Sequence, residues 1–256
     1  MKVTRAVVPS LFTVLNIFCG FLSLIHTASA DYTLASWFVI LAALFDTLDG
    51  LMARITKSSS AFGVEFDSLS DVVSFGVAPS FLAYSLYLHT QEGFGMIVSA
   101  MPMVFGALRL ARFNAQLVNY DKDYFKGLPI PAMAITVCSY VLAFSQNGGG
   151  LQGLEASLLM PMIVILSLLM ISSIKYDTAP KFSRRGIKQH PLRFTVAVVG
   201  LTAIVVTRGG ALFPFFVFYA ATGALRYIIY FFIQHALHPA GKALDEKNTE
   251  VSSVDV

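Results

Sequence analysis

The apolar residues of this chain come in long, nearly unbroken blocks, and no other feature limits its fold so strongly. A helix that crosses a bilayer needs about 20 consecutive, mostly apolar residues. Blocks of that kind recur along the whole sequence, among them 8–29, 33–54 and 94–114. Of the 256 residues, 56% are hydrophobic and only 13% are charged, whereas a soluble domain carries roughly 25% charged residues. A water-soluble globule of this size buries only about three quarters of its chain surface. It could not hide this much apolar area. An ordinary cytosolic enzyme, a disordered chain and a secreted disulfide scaffold are all excluded. Cys19 and Cys138 each lie inside an apolar block with no second cysteine at ligand spacing, so they read as small buried hydrophobes.

The fold class expected is therefore all-α: a polytopic membrane bundle of about eight spans. They are read at 8–29, 33–54, 66–88, 94–114, 129–147, 157–174, 194–208 and 211–233. Eight spans of about 20 residues occupy roughly 160 residues, which leaves only loops and tails. Residues 1–235 form one membrane domain in this reading, and 236–256 a polar, disordered cytoplasmic tail. Loops on the cytoplasmic side of a membrane protein are enriched in Lys and Arg. With the N-terminus inside, every one of the 18 Lys and Arg except Arg208 falls nearest a cytoplasmic span end. Both termini are thus expected in the cytoplasm. Lys2 and Arg5, the apolar stretch and Ala28-Ser29-Ala30 together look like a secretory signal. The stretch is too long for one and contains Thr13 and Asn16, so it is taken as a retained first span. The basic loop 175–193 reads as a topology determinant that also touches anionic headgroups, and no nucleic-acid partner is expected.

A charged side chain at the centre of a span costs at least about 2.5–3.5 kcal/mol and usually marks function. Four carboxylates gather at the inside ends of two consecutive spans. Asp46 and Asp49 are i, i+3; Asp67 and Asp71 are i, i+4. Each spacing places its pair on one helix face, and the short connection makes the two helices antiparallel neighbours, so all four can converge. Together they repel one another unless a cation joins them. Oxygen ligands without His or Cys select hard ions such as Mg²⁺, Mn²⁺ or Ca²⁺, and four carboxylates suffice for two ions that clamp phosphoryl oxygens. Gly50, Ala53 and Gly63 are small and leave room between helices, while Arg54 suits a phosphate oxygen at the mouth. Asp46 precedes Arg54 by eight residues, about 12 Å along a helix, so the site lies just beneath the cytoplasmic surface. The histidines His26, His89, His190, His235 and His238 show no ligand spacing.

The run Asp46-x-x-Asp49-Gly50-x-x-Ala53-Arg54, then Gly63-x-x-x-Asp67-x-x-x-Asp71, resembles the signature of the CDP-alcohol phosphatidyltransferase family, with every position present. The segments Pro9–Asn16, Ser74–Pro79, Arg109–Asn114 and Phe125–Pro131 are similar to the branch of that family that makes phosphatidylserine. The resemblance covers roughly residues 5–235. It implies transfer of a phosphatidyl group from CDP-diacylglycerol to the hydroxyl of L-serine, with release of CMP, dependence on Mg²⁺ or Mn²⁺ as two ions, and a homodimer. It also implies roles. Asp46, Asp49 and Asp67 would hold one ion, and Asp46, Asp67 and Asp71 the other. Asp71 would take the proton of the acceptor hydroxyl. Thr13, Asn16, Asp49, Gly50, Ala53, Arg54 and Gly63 would bind the CDP-lipid.

Arg109 and Arg112 are i, i+3 at the inside end of the fourth span. They read either as topology anchors and partners of the acidic cluster or as a fork for the acceptor's carboxylate. A phosphorylated acceptor, glycerol 3-phosphate or inositol phosphate, would use arginines in the same place. A divalent-cation carrier is the competing class, but carriers bind at the bilayer midplane between inverted repeats, and no second copy of the acidic motif is present. A catalytically dead scaffold is disfavoured because no carboxylate is missing.

Overall fold

The computed structural model of the chain describes residues 3–56, 60–117, 124–145, 150–177, 202, 207 and 210–237. In order these form α1 (Val3–Ala28), α2 (Tyr32–Thr56), α3 (Ala61–Asp71), a π-helical turn (Val72–Val77), α4 (Ala78–Leu86), a 3₁₀ turn (Leu88–Gln91), α5 (Glu92–Leu117), strand β1 (Tyr124–Lys126), α6 (Ile130–Phe144), α7 (Gly153–Ile171), strand β2 (Lys175–Asp177) and α8 (Leu212–Leu237). Among the described residues the architecture is helical apart from one three-residue ribbon. Five stretches are long and apolar enough to cross a membrane: Leu11–Ala28, Tyr32–Thr56, Ala61–Leu86, Leu88–Ala115 and Gly153–Ile171. Ile130–Phe144 and Leu212–Arg226 are shorter apolar helices. Among the described residues, five spans therefore stand where eight were expected over the whole chain. Most of the expected seventh span, 194–208, lies outside the described residues, as do most of the basic loop 175–193 and the tail from 238 onward. The helix α8 itself runs to Leu237, past the expected start of the tail.

Local chemistry explains the boundaries. The α1–α2 corner closes with Asp31 N–H donating to His26 O at 2.9 Å, and Asp31 Oδ1 accepts Leu34 N–H at 3.1 Å to cap α2. Helix α3 begins at Ala61, five residues before the expected span start, because Ser60 caps it: its Oγ accepts Gly63 N–H at 3.0 Å. Asp67 and Asp71 thus sit well inside a helix rather than at its first turn. The widened turn that follows has its reason in Pro79. Proline offers no N–H to the carbonyl of Phe75 and its ring crowds that carbonyl; Ala78 N–H instead reaches Val73 O, five residues back. Pro102, inside α5, likewise breaks the ladder there, and the next amide, Met103 N–H, donates to Ser80 Oγ on α4 at 3.2 Å.

Between helices in lipid there is little hydrophobic driving force, so close packing by small residues holds a bundle together. The core follows that rule. Ala35, Val39 and Ala42 of α2, Ala78, Leu82 and Ala83 of α4, and Val137, Cys138 and Val141 of α6 are all fully buried. On the side of the acidic cluster, β1 pairs antiparallel with β2, Phe125 opposite Tyr176. The ribbon is tied down by Gly127 N–H to Ile174 O at 2.8 Å and Leu128 N–H to Leu169 O at 3.0 Å. Gly127 has φ +81° and abuts the Met170 carbonyl, so only glycine fits that corner. Tyr176 is buried against α8, where its hydroxyl donates to Ala220 O at 3.0 Å and its ring fills the space a Cβ on Gly223 would need.

Candidate active site

The end of α2 and the C-terminal half of α3 each pack against α1, and their carboxylates meet in that corner. Oxygens of Asp46, Asp67 and Asp71 lie within 4.8 Å of one another. Among the described residues, this is the group of acidic, His or Cys side chains able to share a metal. Asp49 stands outside the trio but within electrostatic reach of Asp46 and Asp67. The helix period alone accounts for each pair on its own helix; the packing of both helices against α1 brings the pairs together.

Helix α1 supplies the donors. Thr13 Oγ1 donates to Asp49 Oδ2 at 2.6 Å, and Asn16 Nδ2 donates to Asp71 Oδ1 at 3.2 Å. Thr13 and Asn16 are buried, as befits side chains that serve carboxylates inside a bundle. Two acceptors in the same corner, Asp49 Oδ1 and Asn16 Oδ1, are buried with no hydrogen-bond partner among the described residues. Three convergent carboxylates, with further buried acceptors beside them and no His or Cys, are what a hard divalent cation requires. The residues fit such an ion, held by Asp46, Asp67 and Asp71.

The remaining expected site residues separate. Gly50 faces open space, with nothing within 4 Å of where a Cβ would stand, and Arg54 is exposed at the end of α2; Ala53 is half-buried. Gly63 is different: a Cβ there would come 3.1 Å from Ser60 Oγ, so its small size serves its own helix cap. The two arginines also divide. Arg109 is buried, within electrostatic reach of Asp71 and of Tyr219 on α8. Arg112 is half-buried, and its Nη1 donates to Ile171 O at the end of α7 at 3.2 Å. Nearby, Asn114 Nδ2 donates to Ser68 Oγ at 3.0 Å, joining α5 to α3.

Sequence reasoning missed Ser70 and Ser74, whose hydroxyls donate to the carbonyls of Thr13 and Asn16. Their i, i+4 spacing around Asp71 was a legible signal. It also missed Tyr219, which lies beyond the motif region. His26, read as without a ligand role, lies 3.9 Å from Asp31 and stacks on Phe38.

Carboxylates that suit a hard cation, set into the end of a helical bundle built to sit in lipid, belong to an integral membrane enzyme of phosphoryl chemistry. The chain belongs to the CDP-alcohol phosphatidyltransferase family, whose sequence model matches residues 6–175. It is similar to the CDP-diacylglycerol–serine O-phosphatidyltransferase of Helicobacter pylori, 39% identical over 220 residues that cover 86% of this chain and 90% of that protein. The archaetidylserine synthase of Methanothermobacter thermautotrophicus is 39% identical over 178 residues, covering 68% and 72%. The CDP-diacylglycerol–serine O-phosphatidyltransferase of Bacillus subtilis is 32% identical over 186 residues, covering 71% and 96%.

Proposed function

We propose that the chain transfers the phosphatidyl group of CDP-diacylglycerol to the hydroxyl of L-serine, giving phosphatidylserine and CMP. One observation carries an acidic acceptor: the buried cation Arg109 lies within electrostatic reach of Asp71. An acceptor with a carboxylate on Arg109 would bring its hydroxyl to Asp71, and serine among such acceptors is supported by the names of the relatives from Helicobacter pylori and Bacillus subtilis.

In this reading Asp71 takes the proton from the serine hydroxyl as that oxygen attacks the lipid phosphorus. The bond from phosphorus to the bridging oxygen of the pyrophosphate breaks, and CMP leaves with the electron pair. Asn16 holds one oxygen of Asp71 and Thr13 one oxygen of Asp49. Thr13, Asn16, Asp49, Gly50, Ala53, Arg54 and Gly63 line the CDP-lipid site, with Arg54 toward the pyrophosphate and Arg112 flanking the acceptor. Asp46, Asp49 and Asp67 would hold one divalent ion and Asp46, Asp67 and Asp71 a second, either Mg²⁺ or Mn²⁺. Such ions, when bound, neutralise phosphate charge as it develops.

The same proposal places eight spans in residues 1–235, a polar tail from 236, both termini and the active site at the cytoplasmic face of the cell membrane, and two copies in a homodimer. Charge asymmetry supports the orientation; the dimer rests on the family resemblance. The deciding experiment supplies purified protein in detergent with CDP-diacylglycerol and, in parallel, serine, glycerol 3-phosphate or inositol 3-phosphate, with and without Mn²⁺. Phosphatidylserine is the expected product. Consumption of a phosphorylated acceptor alone overturns the assignment of serine.

A further inference from the structure

Helix α1 is tied to the acidic helices by two rungs of the same design. In the first, the Thr13 side chain donates to Asp49 while the Thr13 carbonyl accepts from Ser70 Oγ at 3.2 Å. In the second, the Asn16 side chain donates to Asp71 while the Asn16 carbonyl accepts from Ser74 Oγ at 2.9 Å. Each α1 residue is therefore held at its backbone by one residue and serves a carboxylate with its side chain. Asn16, Ser70 and Ser74 have no exposed surface.

These two serines differ from several other Ser and Thr hydroxyls of the bundle. Ser36, Thr47, Thr56 and Thr136 all turn back to the carbonyl four residues earlier in their own helix, the usual habit of Ser and Thr in helices. Ser70 and Ser74 reach across to α1 instead. A helical carbonyl has a second lone pair beyond the one used by its own ladder, and the serines occupy it. The approach depends on Gly20, one turn beyond Asn16 on α1: a Cβ there would stand 2.5 Å from Ser74 Oγ. Ser74 itself lies in the π-helical turn, and such turns often occur at functional sites.

We propose that Ser70 and Ser74 are positioning residues of the transfer reaction. They set the height and rotation of α1, so that the donors of Thr13 and Asn16 meet Asp49 and Asp71 in fixed geometry. This rests on the reading that those carboxylates perform the transfer. It does not depend on which acceptor is used, so activity is followed as CMP release with whichever of the three acceptors the wild type consumes. Failure with serine then counts against the acceptor alone.

The test measures kcat, the KM for CDP-diacylglycerol and thermal unfolding for Ser70→Ala and Ser74→Ala. Thr136→Ala, which removes a buried hydroxyl far along α6, gives the structural baseline. Misplacing a catalytic group by an ångström costs on the order of a hundredfold, so a kcat loss between about tenfold and a hundredfold is expected, with KM unchanged and unfolding no lower than the Thr136→Ala baseline. The losses must also be non-additive along each rung: Ser70→Ala adds little to Thr13→Val, and Ser74→Ala adds little to Asn16→Leu. Full kcat, additive losses, or losses that follow unfolding as in Thr136→Ala each overturn the proposal. Should the alanine variants fail to fold, Gly20→Ala keeps both hydroxyls and pushes α1 away from Ser74. It must lower kcat as Ser74→Ala does, and wild-type turnover in it refutes the positioning role.

Discussion

Replacing Asp71 by asparagine leaves the shape of the side chain intact and removes one charge from the cluster, so it separates electrostatics from packing. Oxygens of Asp46, Asp67 and Asp71 lie within 4.8 Å of one another, and at an effective dielectric constant near 20 two unit charges at that separation repel by about 3.5 kcal/mol. Closer pairs repel more than this at full charge, and any proton or ion shared in the cluster lowers the figure. The substituted amide would still accept from Asn16 through its oxygen, and its NH₂ would donate to the neighbouring carboxylates. Two opposite effects follow. Without divalent ions the variant should be more stable than the wild type. Each 1 kcal/mol is worth about 2–4 °C in a chain of this size, so a rise of a few degrees in chelator is expected. With Mn²⁺ the wild type should gain stability by mass action, and the variant, with one ligand charge fewer, should gain less. The two stability orders therefore cross on adding metal. Turnover should fall by roughly 10²–10⁴, the usual contribution of a general base, while CDP-diacylglycerol still binds. The assay is thermal unfolding in detergent with EDTA and with Mn²⁺, alongside CMP release and lipid binding. A variant less stable than the wild type in EDTA would rule out repulsion at Asp71, and one that keeps its turnover would rule out Asp71 as the base.

Other outcomes follow from the same geometry. Arg109→Lys replaces a fork by a point charge and should raise the KM for serine by roughly tenfold, with the KM for CDP-diacylglycerol unchanged; Arg112→Lys, at a half-buried side chain that donates to Ile171 O, should change it little. Gly223→Val drives a side chain into the ring of Tyr176 and should cost about 1–3 kcal/mol by overpacking, read as a lowered unfolding temperature. Burial and the neighbouring Tyr219 hold the Tyr176 phenol up at about 12, against an ordinary value of 10.0. Its folded form keeps the proton that the unfolded chain releases, so this contribution to stability is complete below pH 10 and is lost as pH rises toward 12. Tyr176→Phe should flatten the stability profile over that window. Chelation should abolish CMP release, and Mg²⁺ or Mn²⁺ should restore it.

Much of this protein is legible one residue at a time. Long apolar blocks and scarce charge require lipid as solvent, because backbone polar groups in a bilayer must be paired within helices. Asp46 with Asp49, and Asp67 with Asp71, fall on common helix faces by the helix period alone, and their oxygen-only chemistry specifies a hard cation. These relations span a few residues, where chain geometry leaves little choice. Helix ends were less legible: the cap at Ser60 moved the third helix start to Ala61, and the loop beyond α7 returns as a strand at Tyr176.

Which helix meets which, and at what height, is settled by packing across the bundle. Sequence spacing put Arg109 and Arg112 on one face, but the packing of α5 turned Arg109 into the carboxylate corner and left Arg112 at the end of α7. Four carboxylates were equivalent in sequence; in the fold three converge and Asp49 is drawn to Thr13. The rungs from Ser70 and Ser74 join residues 57 and 58 positions apart. Such contacts depend on how closely two backbones approach, and here that is set by Gly20 against Ser74 and by the wide turn before Pro79. The period of a helix is written locally, whereas the contact between helices arises only when both surfaces are present.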